Sequence, residues 1–303
     1  MAGAASCFFR LRARACQQEP QEFVIHSDVR LVLLDVSVKD RHGGFVSNLA
    51  QDNFTVLENG EPQRITVFAN EDIPVTVGIL VDESRSMLAK RNDVIAAAGA
   101  FIQTSNPQDE IFVLNFNDSV QRGLPDQQLF SDNAQQLRAA LYRGVPSGRT
   151  ALNDAIVEGL RQLASGSRGK KALVVISDGG DNASRHTGAQ MFALVERSIA
   201  TVYTIGLFDA DDPDRNPGIL KRLANWSGGE AWFPKSPADM TTVCQGVAGE
   251  IRTRYTIGYL PALDNHGSLR HIQVRVSAPG RSFLIARTRT RYRYEEIANP
   301  GSK

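Results

Sequence analysis

Residues 75–87 read VTVGILVDESRSM, an apolar run that ends in an acid and is followed by two hydroxyl side chains. A nearly continuous apolar strand is typical of a parallel sheet that is covered on both faces. Alternate side chains of an extended backbone point the same way, so Asp82, Ser84 and Ser86 are expected to converge. Two interpretations are open. In the first, one of these three side chains caps the next helix, since a cap needs only a single Ser or Asp. In the second, all three side chains line a site for a hard metal ion.

Outward from this stretch, apolar strands alternate with helical patterns as far as about residue 250. Further buried strands are predicted within residues 109–117, 170–181 and 201–209, and helices over 92–105, 133–142, 151–164, 189–200, 218–228 and 237–255. This order predicts a doubly wound, mostly parallel α/β sheet. Ligands of such sheets bind at the carboxyl ends of the strands, where Asp82, Asp178 and Asp209 are expected.

The two ends of the chain have β patterns instead. Four strands are predicted between Val24 and Phe68, with Asn59-Gly60 as a hairpin turn. Strand patterns return after Tyr255. Neither flank has enough strands to stand alone, so we expect both to form one small all-β sandwich into which the α/β domain is inserted. The predicted divisions are a tail or defective signal segment at 1–22, sandwich at 23–72, α/β domain at 73–252, sandwich at 253–296 and a tail at 297–303.

Composition narrows the classes of function. The 303 residues are 42% hydrophobic and 22% charged, and the net charge is +1. A near-neutral chain has no general field for nucleic acid or an anionic membrane, and no apolar run approaches the ~20 residues of a transmembrane helix. The three cysteines form no disulfide framework, and Cys244 is expected to be a small buried side chain. The first 18 residues end in a cleavage-like Ala13–Cys16 segment, but arginines interrupt the apolar centre that a secretion signal needs.

Residues 282–294, SFLIARTRTRYRY, alternate arginines with Thr, Ala and Tyr. A basic stripe with aromatics could bind nucleic acid. We favour the solvated face of an edge strand, on which charges prevent aggregation.

Two further segments bear on a metal site. Thr150 precedes a helix in SGRTALNDAI, and Asp178 ends an apolar strand in VVISDGGD. Each alone is explained by a helix cap or an Asp-Gly turn. Their order and their placement with Asp82 at strand ends favour a common site.

Over about residues 73–250 the sequence resembles the von Willebrand factor type A domain. The family's metal-ion-dependent adhesion site reads Asp-x-Ser-x-Ser, then a Thr, then an Asp in an (S/T)DG turn. The matching residues here are Asp82, Ser84, Ser86, Thr150 and Asp178. Arg85 stands where many relatives have Gly. The flanks resemble a bacterial subfamily of related proteins that is often exported, which implies an extracytoplasmic location.

The resemblance implies Mg²⁺, with Mn²⁺ or Ca²⁺ as alternatives. Ser84, Ser86 and Thr150 would be direct ligands, and Asp82 and Asp178 would act through water or alternate as ligands. A partner protein would complete the shell with an Asp or Glu carboxylate, which makes the domain a non-enzymatic adhesion module. The alternatives are a metal-assisted hydrolase, and a structural envelope protein that the ion stiffens.

The remaining polar residues carry weaker signals. The loop DADDPD, with Asp209, Asp211, Asp212 and Asp214, lacks the Gly and distal Glu of an EF-hand, so a solvated acidic loop is expected. Asp181 is interpreted as a loop residue. The five histidines are scattered, and no nucleophile elbow, P-loop or dinucleotide fingerprint is present.

Overall fold

The computed structural model describes residues 31–208, 213–261 and 269–294. The N-terminal flank consists of strands β1 Val32–Lys39, β2 Phe54–Glu58, β3 Glu61–Gln63 and β4 Ile65–Ala69. Asn59 and Gly60 turn between β2 and β3 with φ of 50° and 91°. Positive φ at both central positions is the reason why Asn-Gly favours this hairpin, and the predicted hairpin is confirmed.

Strands and helices then alternate, as predicted. The elements are β5 Val75–Asp82, α1 Arg91–Thr104, β6 Glu110–Phe116, β7 Val120–Arg122, α2 Ala134–Tyr142, α3 Leu152–Ala164, β8 Lys170–Ser177, α4 Gly188–Arg197, β9 Thr201–Gly206, α5 Pro217–Ser227, β10 Ala231–Trp232 and α6 Pro237–Arg252. They form a six-stranded sheet in the order β10-β9-β8-β5-β6-β7. Only β7 is antiparallel to its neighbour, so the predicted mostly parallel α/β sheet is confirmed.

Strand β5 lies at the centre of this sheet, and all eight of its residues are buried. Gly78 in this strand packs so closely that a Cβ would stand 2.4 Å from the ring of Phe112. The apolar stripe of α1 and the strands on either side of β5 belong to the same hydrophobic core. The end of β5, where Asp82 stands, is therefore held by rigid structure on both sides.

The C-terminal flank adds β11 Tyr255–Tyr259, β12 Leu269–Val276, β13 Ile285–Arg287 and β14 Arg291–Arg293. These strands pair with those of the N-terminal flank in two antiparallel sheets, in the orders β13-β1-β11-β4 and β14-β12-β2-β3. Both flanks share one hydrophobic core, which includes Val36, Val56, Tyr255 and Tyr259. The predicted sandwich around an inserted α/β domain is confirmed.

The arginine stripe differs from its predicted structure. Residues 282–294 are not one strand, because β13 and β14 lie at the edges of two different sheets. The arginines also do not form a solvated face. Arg293 binds Glu196 of α4 at 3.0 Å, Arg291 lies 3.9 Å from the ring of Trp226 in α5, and Arg289 donates to the carbonyl of Glu196 at 3.0 Å. These arginines attach the sandwich to the α/β domain.

Several predictions concern residues outside the described ranges. They are the tails at 1–22 and 297–303, Cys7, Cys16 and Asp209, Asp211 and Asp212 of the acidic loop. Cys244 is completely buried, as expected. In the portion of the chain that the structure describes, none of the helices has the length and apolar character of a membrane span.

Candidate metal site

The site begins where β5 ends. Asp82 and Ser84 are each only 2% exposed, and Asp82 Oδ1 accepts a hydrogen bond from the backbone N of Ser84 at 2.9 Å. This bond turns the chain into a short 3-10 helix, Arg85–Lys90. Ser84 precedes that helix, but its side chain makes no capping bond. Helix capping therefore does not account for the second and third oxygens of the motif.

Asp178 reaches the same place from the neighbouring strand. Strands β5 and β8 are parallel and in register, so Val81 stands beside Ile176 and the two carboxyl ends meet. Ser84 Oγ lies 3.0 Å from Ser86 Oγ, and Ser86 Oγ donates to Asp178 Oδ2 at 2.5 Å. Hydrogen bonds thus link three side chains that the sequence places up to 94 positions apart.

The turn after Asp178 depends on its two glycines. Gly179 has a φ of 84°, and a Cβ there would stand 2.4 Å from the carbonyl oxygen of Asn216. Asp178 Oδ1 accepts from the backbone N of Gly180 at 2.9 Å. The glycines therefore let the chain turn tightly around the carboxylate and fix its orientation.

Thr150 is brought in by the loop between α2 and α3. Its backbone N donates to Asn182 Oδ1 at 2.9 Å, and its carbonyl accepts from Asn182 N at 2.9 Å. The same loop is bonded to the Asp82 turn, since Ser147 N donates to the Glu83 carbonyl at 2.9 Å. The structure therefore brings the loops of all five predicted residues together, with Asp82, Ser84, Ser86 and Asp178 at the centre and Thr150 beside them.

The family model of the von Willebrand factor type A domain matches residues 76–239, which is more than half of the chain. The chain belongs to the von Willebrand factor type A domain family. This family consists of protein-interaction and adhesion modules.

Solved structures of other proteins resemble this type A domain chain. A von Willebrand factor type A protein from Catenulispora acidiphila is 15% identical, with a TM-score of 0.53, over 91% of this chain and 77% of its own. An aerotolerance-related membrane protein from Bacteroides fragilis is 19% identical, with a TM-score of 0.47, over 58% and 98%. The vWF domain of the type V pili tip protein Mfa5 from Porphyromonas gingivalis is 14% identical, with a TM-score of 0.47, over 59% and 95%. The comparison with curated proteins gives no match.

The first of these likenesses shows the fold alone. It extends over 91% of the chain, and therefore over the flanking sheets as well as the type A domain. What the chain binds has to be argued from its own residues.

The two carboxylates of the type A domain site are held by neutral donors. Burial raises the pKa of Asp82 to about 7, against the lowering effect of the hydrogen bonds from Ser177 and Ser84, and the nearby Asp178 raises it further. Within residues 31–208, 213–261 and 269–294, no Lys, Arg or His side chain pairs with Asp82 or Asp178. A carboxylate that is buried without a cation is costly when ionised.

The donor set fits a small divalent cation. Bonds of about 2.1 Å place neighbouring ligands of an octahedral Mg²⁺ about 3.0 Å apart, and the Ser84 and Ser86 hydroxyls have that separation. Among the residues that the structure describes, no three His, Cys, Asp or Glu side chains are grouped to hold a metal. This site has only two carboxylates, and its other oxygens belong to hydroxyl groups.

Sequence reasoning missed three supporting residues. Ser177 donates to Asp82 Oδ2 at 2.6 Å, and Asn182 ties Thr150 to Asp214 by donating to its Oδ2 at 3.0 Å. Glu83 is 2% exposed and binds Arg91 Nε at 2.9 Å, directly behind the motif. Ser177 was visible in the (S/T)DG turn, whereas the other two roles depend on long-range packing.

The remaining polar side chains near the site have structural roles. Asp181 accepts from Asn153 N and Asn153 Nδ2 at 3.1 and 2.7 Å, which confirms its interpretation as a loop residue. His186 Nδ1 lies 2.6 Å from Asp154 Oδ1, so it supports the loop before α4. Arg85 is exposed, and its backbone N donates to the Gly148 carbonyl at 3.4 Å.

Proposed function

We propose that this chain is a metal-dependent protein-binding module of the adhesion type. Its cation is Mg²⁺, with Mn²⁺ or Ca²⁺ as alternatives. Ser84, Ser86 and Thr150 provide hydroxyl ligands, and Asp82 and Asp178 act through water or as alternating ligands. A partner protein contributes an Asp or Glu carboxylate to the same ion.

One observation carries this proposal: two buried carboxylates from neighbouring strands accept hydrogen bonds from seryl hydroxyls, and no Lys, Arg or His side chain in the described part of the chain pairs with either of them. Two negative charges balance a divalent ion, and the hydroxyls are neutral. A bound cation would therefore keep its attraction for a further carboxylate. Within the module, Ser177 and the backbone N of Ser84 orient Asp82, and Gly180 orients Asp178.

Thermal unfolding with Mg²⁺ or EDTA tests the metal site. A ligand at 100 times its Kd stabilises a protein by about 2.7 kcal/mol, so Mg²⁺ should raise the Tm of the unmodified chain by several degrees. Asp82→Ala and Ser84→Ala should abolish the rise. The matched control is Asp109→Ala, which removes another buried acid, at the start of β6, that accepts from Val75 N at 2.8 Å. An equal rise in Asp82→Ala and in the control would place metal binding elsewhere.

The carboxylate requirement needs a separate test. A short peptide with one Asp should bind in Mg²⁺ and not in EDTA, and the same peptide with Asn should not bind in either. Chemical-shift changes of the ¹⁵N-labelled chain measure this. Ion binding without any difference between the Asp and Asn peptides would instead support an ion that only stiffens the loops.

We also propose an extracytoplasmic location, supported by the cleavage-like Ala13–Cys16 segment. Mass spectrometry of the mature N-terminus would test it, with cleavage near residue 15 as the expected result and an unprocessed cytoplasmic protein as the contrary one.

A further inference from the structure

Large apolar side chains are exposed next to the candidate metal site. Leu88, Tyr142 and Val145 are 59%, 58% and 68% exposed. Leu88 belongs to the 3-10 helix that contains Ser86. Tyr142 is the last residue of α2, and Val145 lies on the connection that leads from α2 to Thr150. We name these three side chains the apolar flank.

Arg91 links the two backbone segments that carry the apolar flank. Its guanidinium binds Glu83 Oε2 at 2.9 Å and donates to the carbonyls of Tyr142 and Gly144 at 3.2 and 2.6 Å. Arg91 begins α1, directly after the 3-10 helix of Leu88, so residues 142–145 are held beside that helix. Polar contacts of Arg91 thus fix the backbone beneath the apolar flank, while the three apolar side chains remain exposed.

The connection that carries Val145 is also bonded to the loops of the candidate metal site. Ser147 N donates to the carbonyl of Glu83 at 2.9 Å, and Arg85 N donates to that of Gly148 at 3.4 Å. These bonds join the connection that carries Val145 to the turn that carries Asp82. The apolar flank therefore borders the site on the side of β6.

The opposite side of the site has different chemistry. In the connection between β9 and α5, Asp214 Oδ2 accepts a hydrogen bond from Asn182 at 3.0 Å. On the β6 side, Arg85 is exposed, and Arg149 is paired with Asp118 at 3.1 Å. The exposed guanidinium of Arg85 therefore favours an acidic ligand beside the apolar flank.

We propose that the partner of this module is a protein segment in which a large apolar side chain stands next to the metal-binding carboxylate and packs on Leu88, Tyr142 and Val145. This inference rests on the proposed function and specifies its ligand. Exposed apolar groups beside a polar site are typical of interaction surfaces, and tyrosine is enriched among the residues that dominate binding.

The test uses synthetic capped peptides and the full ¹⁵N-labelled chain in Mg²⁺. One peptide is Gly-Gly-Asp-Gly-Gly, and two others carry Phe directly before or directly after the Asp. At least one Phe peptide should bind about tenfold more tightly, equivalent to about 1.4 kcal/mol. Its shift changes should include residues 88, 142 and 145.

Variants of the chain test whether the tighter binding of the Phe peptide depends on the apolar flank. Leu88→Ser and Val145→Ser should remove most of the tenfold preference and leave the binding of the Gly peptide unchanged. Ile199→Ser is the matched control, since Ile199 is 57% exposed between α4 and β9, away from the site. It should keep the whole preference.

The outcomes are distinguishable. Equal Mg²⁺-dependent binding of all three peptides would overturn this inference and leave the proposed function standing. No Mg²⁺-dependent binding by any peptide would overturn both. Sedimentation that shows a dimer, broken by Val145→Ser, would assign the apolar flank to a second copy of the chain and overturn the inference as well.

Discussion

Buried carboxylates at two places in this molecule have different kinds of partner. At the end of β5 and β8, Asp82 and Asp178 receive hydrogen bonds from serines and backbone N–H groups. At the seam between the sandwich and the α/β domain, Glu250 lies 3.3 Å from both Lys39 and Arg254. The chain supplies cations where it needs a permanent buried charge pair, and hydroxyls where we propose that a cation arrives from solution.

The cation at the seam, Arg254, makes several further hydrogen bonds. Arg254 is 2% exposed and donates to the hydroxyl of Tyr203 at 2.8 Å and to the carbonyls of Asp35 and Gly228 at 2.7 and 2.9 Å. The sandwich core repeats the pattern, because buried Glu58 binds Arg270 at 3.1 Å. Buried carboxylates in the same chain therefore have cationic partners at the seam and in the sandwich core, and neutral partners at the candidate metal site.

The largest expected effect is at the seam. Arg254→Met leaves Glu250 buried with only Lys39, and losing one partner of a buried pair costs about 3–5 kcal/mol. Urea unfolding should show this loss equally in Mg²⁺ and in EDTA. Arg252→Met is the control, since its pair with Asp72 is 39% exposed on each side and should contribute about 0–1 kcal/mol. Equal losses of unfolding free energy in the two variants would show that the buried ion pair at the seam contributes no more to stability than the exposed pair.

The next largest effect has the opposite sign. Asp82→Asn replaces a buried charge by a neutral amide, so in EDTA at pH 8 it should raise the free energy of unfolding by an amount on the order of a few kcal/mol. It should also abolish the stabilisation by Mg²⁺. A variant that is less stable than the unmodified chain in EDTA would show that Asp82 serves the fold rather than a cation.

The pH dependence of the metal-free chain follows from the same carboxyl. The pKa of Asp82 is raised to about 7, so between about pH 4 and 7 the folded state keeps a proton that the unfolded state has lost. Stability in EDTA should therefore fall as the pH rises through this window and level off above it. Asp82→Asn should lack this part of the slope when both proteins are unfolded with urea at each pH. Identical slopes in the two proteins would contradict the assignment.

A smaller effect is expected for Ser86→Ala. The hydroxyl joins Ser84 to Asp178, so its loss should weaken Mg²⁺ binding by about 10-fold or more and change metal-free stability by only about 1 kcal/mol. Titration calorimetry measures the affinity. Ser131→Ala is the control, because it also removes a seryl Oγ that is bonded to a side chain, here Gln136 at 2.8 Å, and it should bind Mg²⁺ normally. An unchanged affinity in Ser86→Ala would exclude this hydroxyl as a ligand.

The smallest effect should come from Arg293→Gln at the outer part of the seam. The Arg293 side chain is 35% exposed and binds Glu196 at 3.0 Å, so the loss should be within about 1 kcal/mol. Urea unfolding measures it, with no expected change in the response to Mg²⁺. A loss of unfolding free energy as large as that of Arg254→Met would show that solvent exposure does not determine how much each ion pair at the seam contributes to stability.

The sequence predicts the sheet and the proximity of Asp82 and Asp178 because both follow from the pattern of the strands. Apolar strands such as β5 and β8 carry their acids at the carboxyl end, and parallel register brings Asp82 and Asp178 together. The seam is different. Arg254 and Asp35 are 219 positions apart, and the arginines at 289 and 291 alternate as on a solvated strand. Only the packing of the sandwich against α4 and α5 gives those arginines their partners.

Anomalous diffraction from crystals soaked in Mn²⁺ tests the central claim most directly. We expect one strong peak within bonding distance of the Ser84 and Ser86 hydroxyls, with Thr150 and the Asp82 and Asp178 carboxylates around it, and no peak there in Ser86→Ala crystals. Density for Mn²⁺ only at other places, with Ser84, Ser86 and Asp178 hydrogen-bonded to one another as they are here, would contradict it.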